Sequence, residues 1–112
     1  MEGIYVMYFT GSIGSGNGLL ILKNGVIAGA DAAGGVYDGS YTQEPGGTLN
    51  VHVRLTLPPG GTLVTGASTG ANPMVIDIPA KLPENFANGQ AIALRTPTGP
   101  VNIIFKKLRD VP

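Results

Sequence analysis

The sequence predicts an all-β fold: a small eight-stranded antiparallel up-and-down barrel, in one domain over residues 1–112. Three observations carry that expectation. Residues 48–57, TLNVHVRLTL, alternate strictly, with apolar Leu49, Val51, Val53, Leu55 and Leu57 separated by polar Asn50, His52, Arg54 and Thr56. A period of two over a full strand length marks a strand with one buried and one wet face. The 18 glycines and nine prolines are spread between short β-rich runs, the pattern of many strands joined by tight turns. No strand–helix–strand alternation is visible, so the economical arrangement is an antiparallel meander, and closing it into a barrel removes exposed edges. Burying the five aliphatic side chains of 48–57 gains on the order of 10 kcal/mol gross. A register slip of one residue would turn all five into water.

Residues 3–9 form the first strand, with Ile4, Val6 and Tyr8 on one face and Tyr5, Met7 and Phe9 on the other. Both faces are apolar, which fits cover on both sides, the outer one by a partner chain. Residues 11–17, GSIGSGN, make a turn. A phosphate loop would need a Lys-Ser/Thr pair after the glycines, and a dinucleotide fingerprint would need a following helix; Gly18-Leu19-Leu20 supplies neither. The second strand covers 18–23, and Asn24-Gly25 is a strong hairpin signal because both residues accept positive φ. Residues 26–30 form strand three, 31–35 a turn and 36–42 strand four, with Tyr37 and Tyr41 opposite Asp38 and Ser40. Residues 43–47 lead into the organising strand 48–57, which Pro58-Pro59-Gly60-Gly61 stops.

Residues 62–65 allow a short strand, and 66–72 read as an exposed loop. Residues 74–78 form a strand ended by Pro79. Residues 81–88, KLPENFAN, are the one helical candidate, a short helix or 3₁₀ turn with Pro83 in its first turn. A strand over 91–96, with Ile92 and Leu94 on one face, turns at 97–100 into the last strand, 101–109, with Val101, Ile103 and Phe105 inward.

Composition narrows the function classes. Apolar residues make up 43% of the chain and charged ones 12%, with net charge zero. Nothing in that balance holds a nucleic-acid backbone, and little of it opposes self-association. The absence of cysteine removes disulfides, thiolate metal sites and cysteine nucleophiles. The first residues, MEGIYVMYF, carry an acid and no basic region, unlike a secretory signal. No apolar run reaches the roughly 20 residues of a membrane span. A soluble cytoplasmic protein without membrane contact is expected.

Few residues offer chemistry. His52 is the lone histidine, on the polar face of its strand, with no acid beside it in sequence to orient it as a base. Asp31, Asp38, Glu44, Asp77 and Glu84 are scattered, and Ser12, Ser15, Ser40 and Ser68 lack a nucleophile-elbow context. Lys106, Lys107 and Arg109 make a small basic end, read as a solvated strand end or a contact for an acidic partner or phosphate. The expectation is a protein that is not an enzyme and needs no cofactor or metal. Two binding modes fit a barrel: a small apolar ligand inside it, or a docking surface outside it.

From residue 1 to 53 the chain resembles the GrlR family, negative regulators of type III secretion gene expression. The resemblance rests on Gly3-Ile4-Tyr5 with Phe9, Gly18, Lys23-Asn24-Gly25 with Ile27, Gly29 and Asp31, then Tyr37 with Gly39, and His52-Val53. The later half matches in strand order and in the strand ended at Ile78-Pro79. The resemblance implies a calycin-like barrel, similar to lipocalins, and a homodimer. It also implies repression by binding a transcriptional activator with a helix-turn-helix region, through a dense acidic loop. The corresponding loop here is 42–47, which places the partner contact at Gln43 and Glu44, with Glu44 its one acid. The alternative function it implies is that of a calycin-like small-molecule or lipid-binding protein.

Overall fold

The computed structural model describes residues 2–112. Its elements are β1 (Gly3–Thr10), β2 (Ser15–Lys23), β3 (Val26–Asp31), β4 (Val36–Gln43), β5 (Leu49–Leu57), β6 (Met74–Leu82), β7 (Ile92–Thr96) and β8 (Gly99–Arg109). They form one eight-stranded antiparallel sheet in the order β6-β5-β4-β3-β2-β1-β8-β7. Strands β1 to β6 are the expected meander. Pairing of β8 with β1 curls the sheet into a nearly closed barrel. The two sheet edges, β6 and β7, approach each other without forming a ladder.

Register decides what points inward. Leu49, Val53, Leu55 and Leu57 of β5 are buried, as the alternation required. They stand opposite Leu82, Ile78, Ile76 and Met74 of β6. Tyr5 and Met7 of β1 are buried with Leu20, Leu22, Ile27 and Phe105 in one cluster, against which Phe9 and Ile103 pack. Leu55, Leu57 and Ile76 form a second cluster, with Leu63 and Met74 against it. Tyr37 touches both clusters and so links them. Although β5 has the clearest alternation, it lies beside the edge strand β6 and not at the centre of the sheet.

Asn24 and Gly25 take φ of 51° and 79°, the left-handed pair that a two-residue hairpin between β2 and β3 needs. Gly29 and Gly39 meet another demand. A Cβ on Gly29 would collide with the Leu19 carbonyl oxygen, and one on Gly39 with that of His52. The backbone of the neighbouring strand lies too close at these positions to admit a side chain.

Several boundaries differ from the sequence reading. The first turn is shorter, because Ser15–Asn17 pairs with Tyr8–Thr10 and extends β2. Pro79 does not end its strand; β6 continues to Leu82. An edge strand has one side that needs no ladder bond, so the missing proline donor is tolerated. Of the short helix or 3₁₀ turn expected over 81–88, only a single turn forms. Lys81 and Leu82 belong to β6, and the remainder makes one turn, closed by the Phe86 N–H donating to the Pro83 carbonyl at 3.0 Å. The strand at 62–65 reduces to a single bridge between Thr62 and Ser68, and the loop after it is not wholly exposed, since Thr69 is buried.

Both barrel ends are stopped by connections. At the lower end the β6–β7 connection inserts Phe86, which stacks tilted on Tyr5 at 5.1 Å and edge-on to Phe105 at 5.4 Å. At the upper end residues 58–73, leaving β5, cross the mouth to the β1–β2 turn. The Ile13 N–H donates to the Val64 carbonyl and Ser12 Oγ to the Thr65 carbonyl, both at 3.0 Å.

Candidate interaction surfaces on the outer wall

Polar positions that alternate with the core on β4, β5 and β6 meet in register on the outside. The rows are Thr42–Asn50–Lys81, Ser40–His52–Pro79 and Asp38–Arg54–Asp77. An open groove of about 490 Å³ lies over the first two rows, where the short Ser40 side chain stands beside His52. A second depression of about 260 Å³ continues it over His52, Arg54 and Asp77.

The sequence placed no acid beside His52, but the sheet does. His52 Nε2 lies 3.9 Å from Asp77 Oδ1, and Ser40 is the cross-strand neighbour of His52. This is not a nucleophilic triad. The His–Asp separation exceeds hydrogen-bond distance, both side chains are more than half exposed, and Arg54 Nε holds the same carboxylate oxygen at 3.5 Å. The arrangement offers mixed charge and hydrogen-bonding groups to a partner. Among the described residues, no three His, Cys, Asp or Glu side chains group as metal ligands.

The two residues expected to contact a partner sit at the lower rim of this groove. Gln43 ends β4, and its Nε2 donates to the Gly47 carbonyl at 3.4 Å. Glu44 opens a tight turn in which its carbonyl accepts from the Gly47 N–H at 2.9 Å. Gly46 and Gly47 supply the positive φ that turn requires. The Glu44 carboxylate folds back and does not project. It accepts from the Asn50 amide, and from Lys81 Nζ at 3.3 Å. The Asn50 hydrogen bond, then the Lys81 ammonium, hold its pKa below the ordinary carboxylate range. In a carboxyl-detected NMR titration, Lys81→Met should raise the Glu44 midpoint towards the ordinary value. An unmoved midpoint would mean that the ion pair does not persist in solution.

Of the basic end, Lys107 is paired with Asp110 at 2.5 Å, and Lys106 projects outward beside Val6. Asp31, read as a turn residue, serves that role and one more. Its Oδ1 accepts from the Ala33 and Gly35 N–H groups, and its Oδ2 from the Tyr37 hydroxyl at 2.7 Å.

The other half of the wall is apolar. Strand β1 turns Ile4, Val6 and Tyr8 outward, as its two apolar faces implied. Register sets Val6 beside Leu19 and Ile4 beside Ile21 on β2, and Tyr8 beside Ile104 on β8. Ala28 and Ala30 of β3 extend the patch from Ile21 and Leu19. Tyr8 is 51% exposed, Leu19 48%, Ile21 42%, Val26 54% and Ile104 36%. The sequence carried the signal for this patch in the unbroken apolar run Leu19-Leu20-Ile21-Leu22, since a strand with a wet outer face would alternate there. No helix among the described residues is long and apolar enough to cross a membrane. In comparisons with protein-family models, curated proteins and solved structures, nothing matches this chain.

Proposed function

We propose that this chain is a non-enzymatic, cytoplasmic protein-binding module that pairs with a second copy through the apolar wall of β8-β1-β2-β3. In this reading it presents the polar groove of β4-β5-β6 to another protein. The observation that carries the proposal is the continuous exposed patch of Tyr8, Leu19, Ile21, Val26 and Ile104. A typical monomer's largest apolar patch is roughly 300–600 Å², and larger ones mark interaction sites. Here half-exposed apolar side chains lie on four adjacent strands, and a standard interface takes roughly 800 Å² from each partner. The occupant is a second copy because Leu19, Ile21, Ala28 and Ala30 give an uncharged face across β2 and β3, where two such faces meet without like-charge repulsion, while Lys106, beside Val6, stands to the β8 side.

In the manner of GrlR-like negative regulators, the second partner is a transcriptional activator. Its contact here is the mixed-charge groove, with Asp38 and Asp77 as the acids open to it. Glu44 alone, already tied to Asn50 and Lys81, does not replace a dense acidic loop. A permanent small-molecule ligand has less support, because large buried side chains occupy the inward positions.

Sedimentation velocity tests the proposal. The wild type should sediment as a dimer at micromolar concentration, and Leu19→Glu with Ile21→Glu as a monomer with an unchanged circular dichroism spectrum. A wild type that stays monomeric up to high concentration, or a folded double variant that still dimerises, would overturn it.

A further inference from the structure

Three asparagines precede a glycine: Asn17-Gly18, Asn24-Gly25 and Asn88-Gly89. Such a pair can react with itself, because glycine has no Cβ to keep its backbone nitrogen from the asparagine side chain. The glycine nitrogen attacks the asparagine Cγ, a C–N bond forms, and the side-chain nitrogen leaves as ammonia. The five-membered succinimide then takes up water at one of its two carbonyls and opens to aspartate or isoaspartate. One water is consumed and one ammonia released, with no change of oxidation state. Closing the ring needs rotation about the asparagine Cα–C bond, so the fold decides which pair reacts.

Two of the pairs are held. The Asn17 carbonyl accepts from the Ala32 N–H at 3.0 Å on the β3 side. The Gly18 N–H of the same peptide therefore points to β1, where Met7 is its ladder partner. Asn24-Gly25 is the two-residue loop between the paired Lys23 and Val26. The Asn24 N–H donates to Glu2 Oε2 at 2.7 Å, and the Gly25 carbonyl accepts from the Tyr41 N–H at 2.9 Å, so both ends of the turn are pinned.

Asn88-Gly89 is not held in this way. Asn88, Gly89 and Gln90 are exposed and lie outside every strand, in the connection from β6 to β7. An isolated bridge from Asn88 to Lys106 ties them to the sheet. Beyond its chain neighbours, nothing lies within 4 Å of where a Gly89 Cβ would stand, so the peptide has room to turn. Asn88 Oδ1 accepts from the Gln90 N–H at 2.9 Å. That bond draws electrons from Cγ and keeps the side-chain carbonyl folded over the Gly89 peptide. The same donor faces the oxyanion that forms on attack.

We propose that Asn88 is a site of spontaneous deamidation, with water as the co-reactant, and that the fold selects it over Asn17 and Asn24. The product carboxylate stands beside Lys106, since bridged residues share a face of the sheet. It takes the chain from net charge zero to minus one. The proposal does not depend on the outer-wall reading, because none of residues 88–90 lies in the apolar wall.

Ageing of the full wild-type chain, followed by peptide mass mapping, tests it. One sample is kept folded at mildly alkaline pH, and a second is kept in enough urea to unfold it. The readout at each asparagine is the small mass gain that comes from replacing the side-chain NH₂ with OH. In the folded chain Asn88 should convert faster than Asn17 and Asn24 by a factor on the order of tenfold, about the weight of one backbone hydrogen bond that those two must give up. In urea the three rates should come together, because all three then share the same Asn-Gly chemistry. A folded-state rate at Asn88 no higher than that at Asn24 would overturn the proposal. So would a lead for Asn88 that persists unchanged in urea, since the fold would then not select the site.

Discussion

Phe86→Ala is expected to lower the free energy of unfolding by about 3–5 kcal/mol, a large part of what a domain of this size has to lose. Its ring is the lower stopper of the barrel and joins Tyr5 of β1 to Phe105 of β8. Its connection also links the two strands that share no ladder, β6 and β7. Truncation leaves a cavity lined by rigid strands, which cannot collapse into it as a loop would. Urea unfolding, with the slope held equal to that of the wild type, measures the loss. A shift below about 1 kcal/mol would mean that Phe86 leaves the barrel in solution and that the interior is open from below.

The second large effect is alkaline. The Tyr37 hydroxyl is pushed above the ordinary tyrosine range, first by burial, then by its hydrogen bond to Asp31 and by the carboxylate charge. A raised folded-state pKa contributes stability that is present below the unfolded value of about 10 and is lost as pH rises beyond it. Unfolding measured from pH 7 to 11.5 should therefore show stability falling above about pH 10. Each such tyrosine adds up to about 1.4 kcal/mol per pH unit. Tyr5, raised mainly by burial, contributes in the same direction. Tyr37→Phe should cost about 1–3 kcal/mol at neutral pH, where Asp31 Oδ2 loses the hydroxyl donor. It should also flatten the alkaline slope. Parallel slopes for variant and wild type would remove Tyr37 from the account.

Much of the barrel was legible because its signals are local. Alternation in 49–57 depends on β5 alone, and Asn24-Gly25 encodes its own turn. The errors arose where a residue's meaning depends on its neighbours. Pro79 stops an interior strand but not an edge one, and the edge position of β6 follows from the closure of β1 on β8, far away in sequence. Residues 81–88 have helical features, yet burying Leu82 on β6 and Phe86 in the lower end outweighs a short helix that is marginal by itself. The placement of residues 58–73 was invisible for the same reason: it is set by hydrogen bonds to residues about 50 positions away, such as that of Ser12 to Thr65.

The surfaces divided in the same way. The outer apolar face of β1 was readable from Ile4, Val6 and Tyr8, while its extension needed the register that sets Leu19 and Ile21 beside them. His52 and Asp77 are 25 positions apart and meet only because β5 and β6 pair. Gln43 and Glu44 were readable as a turn. That Lys81 and Asn50 take up the Glu44 charge was not, since Lys81 arrives from another strand.

Native mass spectrometry of freshly purified protein tests most directly the claim that the barrel is filled and that its wall is the working surface. The account predicts twice the 11.4 kDa chain mass with nothing added, and the bare chain mass on denaturation. A monomer carrying extra mass that denaturation releases would contradict it, and would make the interior, not the wall, the functional site.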